Sequence, residues 1–131
     1  MNYFKDIELF SDLSEIDQIQ LSNFCQVQKI STGELLFSQG DEPQAMYVIL
    51  SGEMIVKKES HGEERNVATL GTGDLVGEMA FFGEPPLRTA SVVANGDVVV
   101  LVVIRFSVEM MMQKYPDLYE RVKFVIEERS T

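Results

Sequence analysis

The chain has 131 residues, the size of one ordinary domain, and its 45% hydrophobic and 24% charged residues mark a globular protein rather than a disordered or fibrous one. Eleven basic against twenty-one acidic residues give a formal net charge of -10, a field that opposes nucleic acid and anionic lipid surfaces, so direct DNA binding by this chain is not expected. The single cysteine, Cys25, cannot close an internal disulfide, residues 1–10 lack the basic start and apolar core of a secretory signal, and the longest apolar run, residues 98–104, is far below the roughly 20 residues that span a bilayer; a cytoplasmic location without membrane contact is expected.

All nine glycines fall between Gly33 and Gly96, which separates helix-compatible ends from a turn-rich middle. Near the start, Ser14 stands before Glu15, Ile16 and Asp17, and its hydroxyl is predicted to cap a helix that carries Ile16, Ile19 and Phe24 toward the core. Asp17 at the third helical position is a weaker partner than the Glu or Gln of a full capping box. Cys25, close behind, reads as a small core residue rather than a reactive thiol.

Residues 34–37, 46–50, 54–57, 66–70, 91–94 and 98–104 are short, β-branched and punctuated by Gly, Asp, Asn or Pro, the pattern of an antiparallel barrel or sandwich. Beyond them, Ser107 is predicted to cap a second helix with Val108, Met111, Met112 and Tyr115 at helical spacing, the methionines acting as core filling. Pro116 breaks or restarts that helix, and Leu118, Tyr119, Val122, Val125 and Ile126 line one face of a last one. Phe124 lies opposite, either a mildly hydrophobic surface spot or a self-association contact or lid over a ligand. One domain over residues 1–131 is expected, with a helical N-terminus over about 1–26, strands over about 27–106 and two helices over about 107–129.

Between Asn66 and Ile104 the only cation is Arg88, against four acidic residues, Asp74, Glu78, Glu84 and Asp97. A lone Arg in such a stretch is either a solvated edge charge, the partner of a carboxylate, or an anion ligand. Its surroundings favour the last. Gly77 allows a close backbone approach, a short helical turn from Glu78 would direct backbone N–H groups at a negative group, and Arg88 presents a planar fork suited to phosphate oxygens. Glu78 is an acceptor only, which fits a ribose 2′-hydroxyl, and Thr89 adds a hydroxyl beside Arg88, although a plain strand residue is as good a reading of it.

Residues 77–91 resemble the phosphate-binding cassette of the cyclic nucleotide-binding domain family. Thr32-Gly33-Glu34, Gly40-Asp41, Met46-Tyr47-Val48-Ile49-Leu50-Ser51-Gly52 and Gly71-Thr72-Gly73-Asp74 agree with it in order, and the likeness runs over about residues 9–126. The resemblance implies a mainly β fold with flanking α-helices: an antiparallel β-roll or jelly roll (double-stranded β-helix) with one N-terminal and two C-terminal helices. It implies a ligand set of Gly77, Glu78, Met79, Ala80, Arg88, Thr89 and Ala90, with Glu78 on the ribose 2′-hydroxyl, Arg88 on the exocyclic phosphate oxygens, and the base covered from residues 118–128. Val76 stands where the family often has an aromatic, a departure that leaves the phosphate and ribose contacts intact.

The function expected is a cyclic nucleotide sensor without catalytic activity, cyclic AMP preferred over cyclic GMP, with no metal and no cofactor beyond the regulatory nucleotide. His61, the only histidine, sits beside Gly62 in a hairpin turn, and no nucleophile and base pair stands at an interpretable spacing. Residues after Phe106 are too few for a helix-turn-helix domain, so output is expected through a homodimer on the C-terminal helix or an unidentified downstream protein, unless the chain is a fragment. The alternative is a scaffold that keeps the fold and binds no cyclic nucleotide, or a different one.

Overall fold

The computed structural model describes residues 2–7, 10–11, 13–23, 25–77, 86–117 and 120. Among them one helix, α1 (Glu15–Asn23), precedes eight strands: β1 (Gln26–Ile30), β2 (Leu35–Phe37), β3 (Ala45–Ser51), β4 (Met54–Ser60), β5 (Glu63–Leu70), β6 (Leu75–Val76), β7 (Ser91–Ala94) and β8 (Val98–Ile104). A second helix, α2 (Arg105–Lys114), follows directly. The strands form two antiparallel sheets, β1-β8-β3-β6 and β2-β7-β4-β5. First pairs with last, second with seventh, third with sixth and fourth with fifth, the nested pairing of a jelly roll.

The first sheet is covered on both faces, which is why β3 and β8 read as unbroken apolar runs rather than as alternation. Ile49, Met54, Val76, Val92, Val98 and Val100 meet between the sheets. Met46, Val48, Leu101 and Val103 point the other way, against Phe4, Phe10, Leu13 and Leu21 of the N-terminal segment. β5 is exposed over nearly its whole length and lacks such a run. Its exposed part extends to Glu63, and β4 extends to Ser60, because the two strands are paired through a two-residue turn. His61 (φ 55) and Gly62 (φ 80) both take positive φ there, the type I′ geometry that matches strand twist.

Three expectations are corrected. Ile16 (70% exposed) and Ile19 face solvent, and the buried side of α1 is Gln18, Leu21 and Ser22. The polar pair is buried because it serves main chain: the Gln18 amide donates to the Phe10 carbonyl (2.9 Å), and Ser22 Oγ accepts from the Tyr3 amide (3.0 Å) while donating to the Gln18 carbonyl. Ser107 is not the cap of α2, which begins at Arg105 as a direct continuation of β8, with the Arg105 amide donating to the Gln44 carbonyl (2.9 Å). Ser107 is instead buried inside the helix. Finally, β1 and β6 are strands that the residue pattern did not announce. The predicted last helix, with Phe124, lies outside the described residues except for Glu120, as do Phe24 and the side chains of Val108, Met111 and Met112.

Candidate functional site

Arg88 precedes β7 and is 4% exposed. Its backbone is fixed by the turn after β2: the Arg88 amide donates to the Asp41 carbonyl (2.7 Å), and the Gly40 amide donates to the Arg88 carbonyl (2.8 Å). That turn is itself held by the Ser38 amide on Asp41 Oδ2 and by Gln39. The Gln39 amide donates to Ser91 Oγ, and its side chain bonds both the N–H and the C=O of Glu59. The chain therefore delivers the arginine to one place before any contact of its own side chain is counted.

The guanidinium then turns inward. Nη1 donates to the Gly77 carbonyl (2.6 Å) and Nη2 to the Ala45 carbonyl (2.5 Å), while Cζ lies 4.0 Å from the centroid of the Phe37 ring and 6.0 Å from that of Tyr47. Burying a cation is costly unless acceptors and a polarisable neighbour receive it, and here carbonyls do so in the plane and an aromatic face below it. Gly77 leaves room for this: it has φ 81, and a Cβ on it would stand 2.5 Å from Arg88 Nη1 and 3.0 Å from Phe37 Cε2. For an anion to engage the fork it must share these nitrogens with the carbonyls or displace them. In either case the guanidinium gains a charged acceptor, which makes a stronger bond than a neutral carbonyl does.

Of the residues singled out from the sequence, Gly77 and Arg88 are brought into contact, Thr89 is exposed, and Ala90 is half-buried just before β7. Glu78, Met79 and Ala80, and the base-covering stretch 118–128 except Glu120, lie outside the described residues. The sequence reading missed Phe37, Tyr47 and the Ala45 carbonyl. Tyr47 was detectable in principle, because alternation along β3 puts it on the same face as Ile49, where a phenol between two sheets needs a partner.

Other features lie apart from this cradle. A groove of about 130 Å³ between α1 and α2 is lined by Leu13, Leu21, Phe106, Met110 and Tyr115 among others, and shares no residue with it. Lys114 Nζ donates to Asp17 Oδ1 (2.8 Å), and this bond, with that from Ser14, holds the Asp17 carboxyl below its usual range. Burial pushes the Cys25 thiol up to about 11. No group of three or more His, Cys, Asp or Glu gathers as a metal site, and no helix is long and apolar enough to cross a membrane, among the described residues.

A family model described as the cyclic nucleotide-binding domain matches residues 27–115. A cAMP-dependent protein kinase regulatory subunit of Mycosarcoma maydis is 33% identical over 94 residues, covering 72% of this chain and 18% of that protein. The Thermus thermophilus catabolite activator protein superposes with a TM-score of 0.81 at 29% identity, over 92% of this chain and 57% of that one. The regulatory subunit of a cAMP-independent protein kinase A from Trypanosoma cruzi, solved bound to guanosine, gives 0.79 at 25% identity over 90% and 42%. The chain thus spans less than a fifth of the fungal kinase subunit and little more than half of the activator protein. Nested pairing of eight strands, and a sequence match that runs the length of them and into α2, leave one assignment: the chain belongs to the cyclic nucleotide-binding domain family.

Proposed function

We propose that the chain binds one cyclic nucleotide per molecule, cyclic AMP in preference to cyclic GMP, and works as a non-catalytic regulatory module that signals to a second copy or a downstream protein. The observation that carries this is the buried Arg88, held on three sides beside the glycine turn that leads directly into Glu78. A guanidinium turned inward beside that turn can offer its planar N–H groups to a bound anion, because a charged acceptor bonds an arginine more strongly than a neutral carbonyl does. Glu78 would accept from the ribose 2′-hydroxyl, and backbone N–H groups around Met79 and Ala80, with Thr89 and the main chain at Ala90, would complete the phosphate shell. Cyclic AMP is favoured because the fungal relative is named for it.

The second reading is a nucleoside ligand, favoured by the guanosine-bound relative. A nucleoside has no phosphate for the Arg88 fork, which separates the two. Calorimetric titration with cyclic AMP, cyclic GMP, linear AMP and guanosine decides between them. One saturable site for a cyclic nucleotide, with linear AMP and guanosine much weaker, is expected. Arg88→Leu should lose a charge-assisted contact of roughly 1.5–3 kcal/mol, about ten- to a hundredfold in affinity. Guanosine binding that Arg88→Leu leaves unchanged would establish the nucleoside reading, and no heat with any of the four, in protein shown to carry no copurified nucleotide, would leave a scaffold.

A further inference from the structure

We propose that Phe37, flanked by Tyr47, is a positioning residue that sets the plane of the Arg88 guanidinium and through it the affinity for a phosphate-bearing ligand; this rests on the phosphate reading of Arg88. A regular strand sends consecutive side chains to opposite faces. In β2 that rule is broken: Leu36 and Phe37 both pack against the cluster between the sheets, and the register against β7 shifts between Leu35 and Phe37, which pair with the adjacent residues Val93 and Val92. An irregularity of this kind bends the strand and re-aims a side chain. Its result is the Phe37 ring under the guanidinium at 4.0 Å.

The stack and the carbonyls constrain different motions. Bonds from Nη1 to Gly77 and from Nη2 to Ala45 fix where the fork points within its plane. The ring face fixes the tilt of that plane, and Tyr47, with its centroid 6.0 Å from that of Phe37, its plane 27° away and its ring 6.0 Å from Arg88 Cζ, flanks both groups and limits their sideways movement. A phosphate engaged by two parallel N–H groups needs both, since bidentate bonding is planar. An aliphatic side chain at position 37 would fill the space without the electron-rich face that attracts a cation.

The test combines affinity with stability. Phe37→Leu is expected to weaken cyclic AMP or cyclic GMP binding by about tenfold, and Phe37→Tyr, which keeps the ring face, to restore it to within about threefold of the parent. Urea denaturation of the ligand-free parent, Phe37→Leu, Arg88→Leu and the double variant forms a cycle, in which Phe37→Leu should cost measurably less once Arg88 is gone. Parent-like affinity in Phe37→Leu, or strictly additive stability losses, would overturn the proposal. A parent protein that binds neither nucleotide refutes the phosphate reading instead; the ligand-free cycle then decides the stacking role alone, non-additivity upholding it and additivity overturning it.

Discussion

Gly77 and Gly52 are both left-handed glycines with no space for a Cβ, and their contrast isolates what the site requires. At Gly77 the obstructing atoms are Arg88 Nη1 and the Phe37 ring; at Gly52, φ 97, they are the Asp97 carbonyl at 2.6 Å and the Val98 backbone. Alanine at either position forces a non-glycine residue into a disfavoured conformation, at roughly 1–3 kcal/mol. Only at Gly77 does it also displace the guanidinium. Gly77→Ala should therefore lose both thermal stability and at least tenfold in cyclic nucleotide affinity, whereas Gly52→Ala should lose stability and keep its affinity in the folded population. Equal affinity in the two variants would detach Gly77 from the site. That Gly77 and Arg88 belong together was legible because residues 77–91 as a whole resemble a phosphate-binding cassette, which a lone cation in an acidic stretch would not have shown by itself. Phe37 was not, since an aromatic at the end of a strand looks the same whether or not an irregularity turns it beneath an arginine.

At the level of elements, what could be read from sequence followed burial. β7 and β8 were predicted at their observed bounds, because their β-branched residues pack against a core and glycine or asparagine closes the turn between them. β1 was missed: four of its five residues are exposed, and only pairing with β8 makes it a strand. α1 shows the converse. Its N-terminus was correctly placed, with the Asp17 amide donating to Ser14 Oγ (3.1 Å), yet its inward face was misassigned, since Gln18 and Ser22 are buried to serve the main chain of the first ten residues. The tie between α1 and α2 was also invisible, because Asp17 and Lys114 lie 97 positions apart. This tie makes a prediction with a definite sign. The Asp17 carboxyl is held below its reference value of 3.8, chiefly by Lys114 and then by Ser14, so the contact stabilises the fold above that pH and is lost as pH falls through the lower folded value. Lys114→Met should lower the urea midpoint at pH 7, and the gap from the parent should close as pH drops below 3.8. A gap that persists undiminished in acid would assign the stabilisation to packing of the lysine stem instead.

For the molecule as a whole, the sequence gives a net charge of -10 while the proposed ligand is an anion, so long-range and short-range electrostatics oppose each other. Arg88 is buried and acts over a few ångströms, where salt screens weakly, whereas the acidic surface acts over the Debye length, about 30 Å at 0.01 M salt and about 8 Å at 0.15 M. Raising the salt therefore removes the repulsion and spares the attraction. The association rate of a cyclic nucleotide, followed by stopped-flow with a fluorescent analogue, should rise severalfold between those two ionic strengths, while the dissociation rate, governed by the local contacts, should change little. A basic binding surface would give the opposite slope, as it does for proteins that bind the nucleic-acid backbone. If association slows with added salt, the approach is steered by a positive local field that residues 66–104, with one cation against four carboxylates, do not supply, and the entry route would have to be sought on another side of the β-roll.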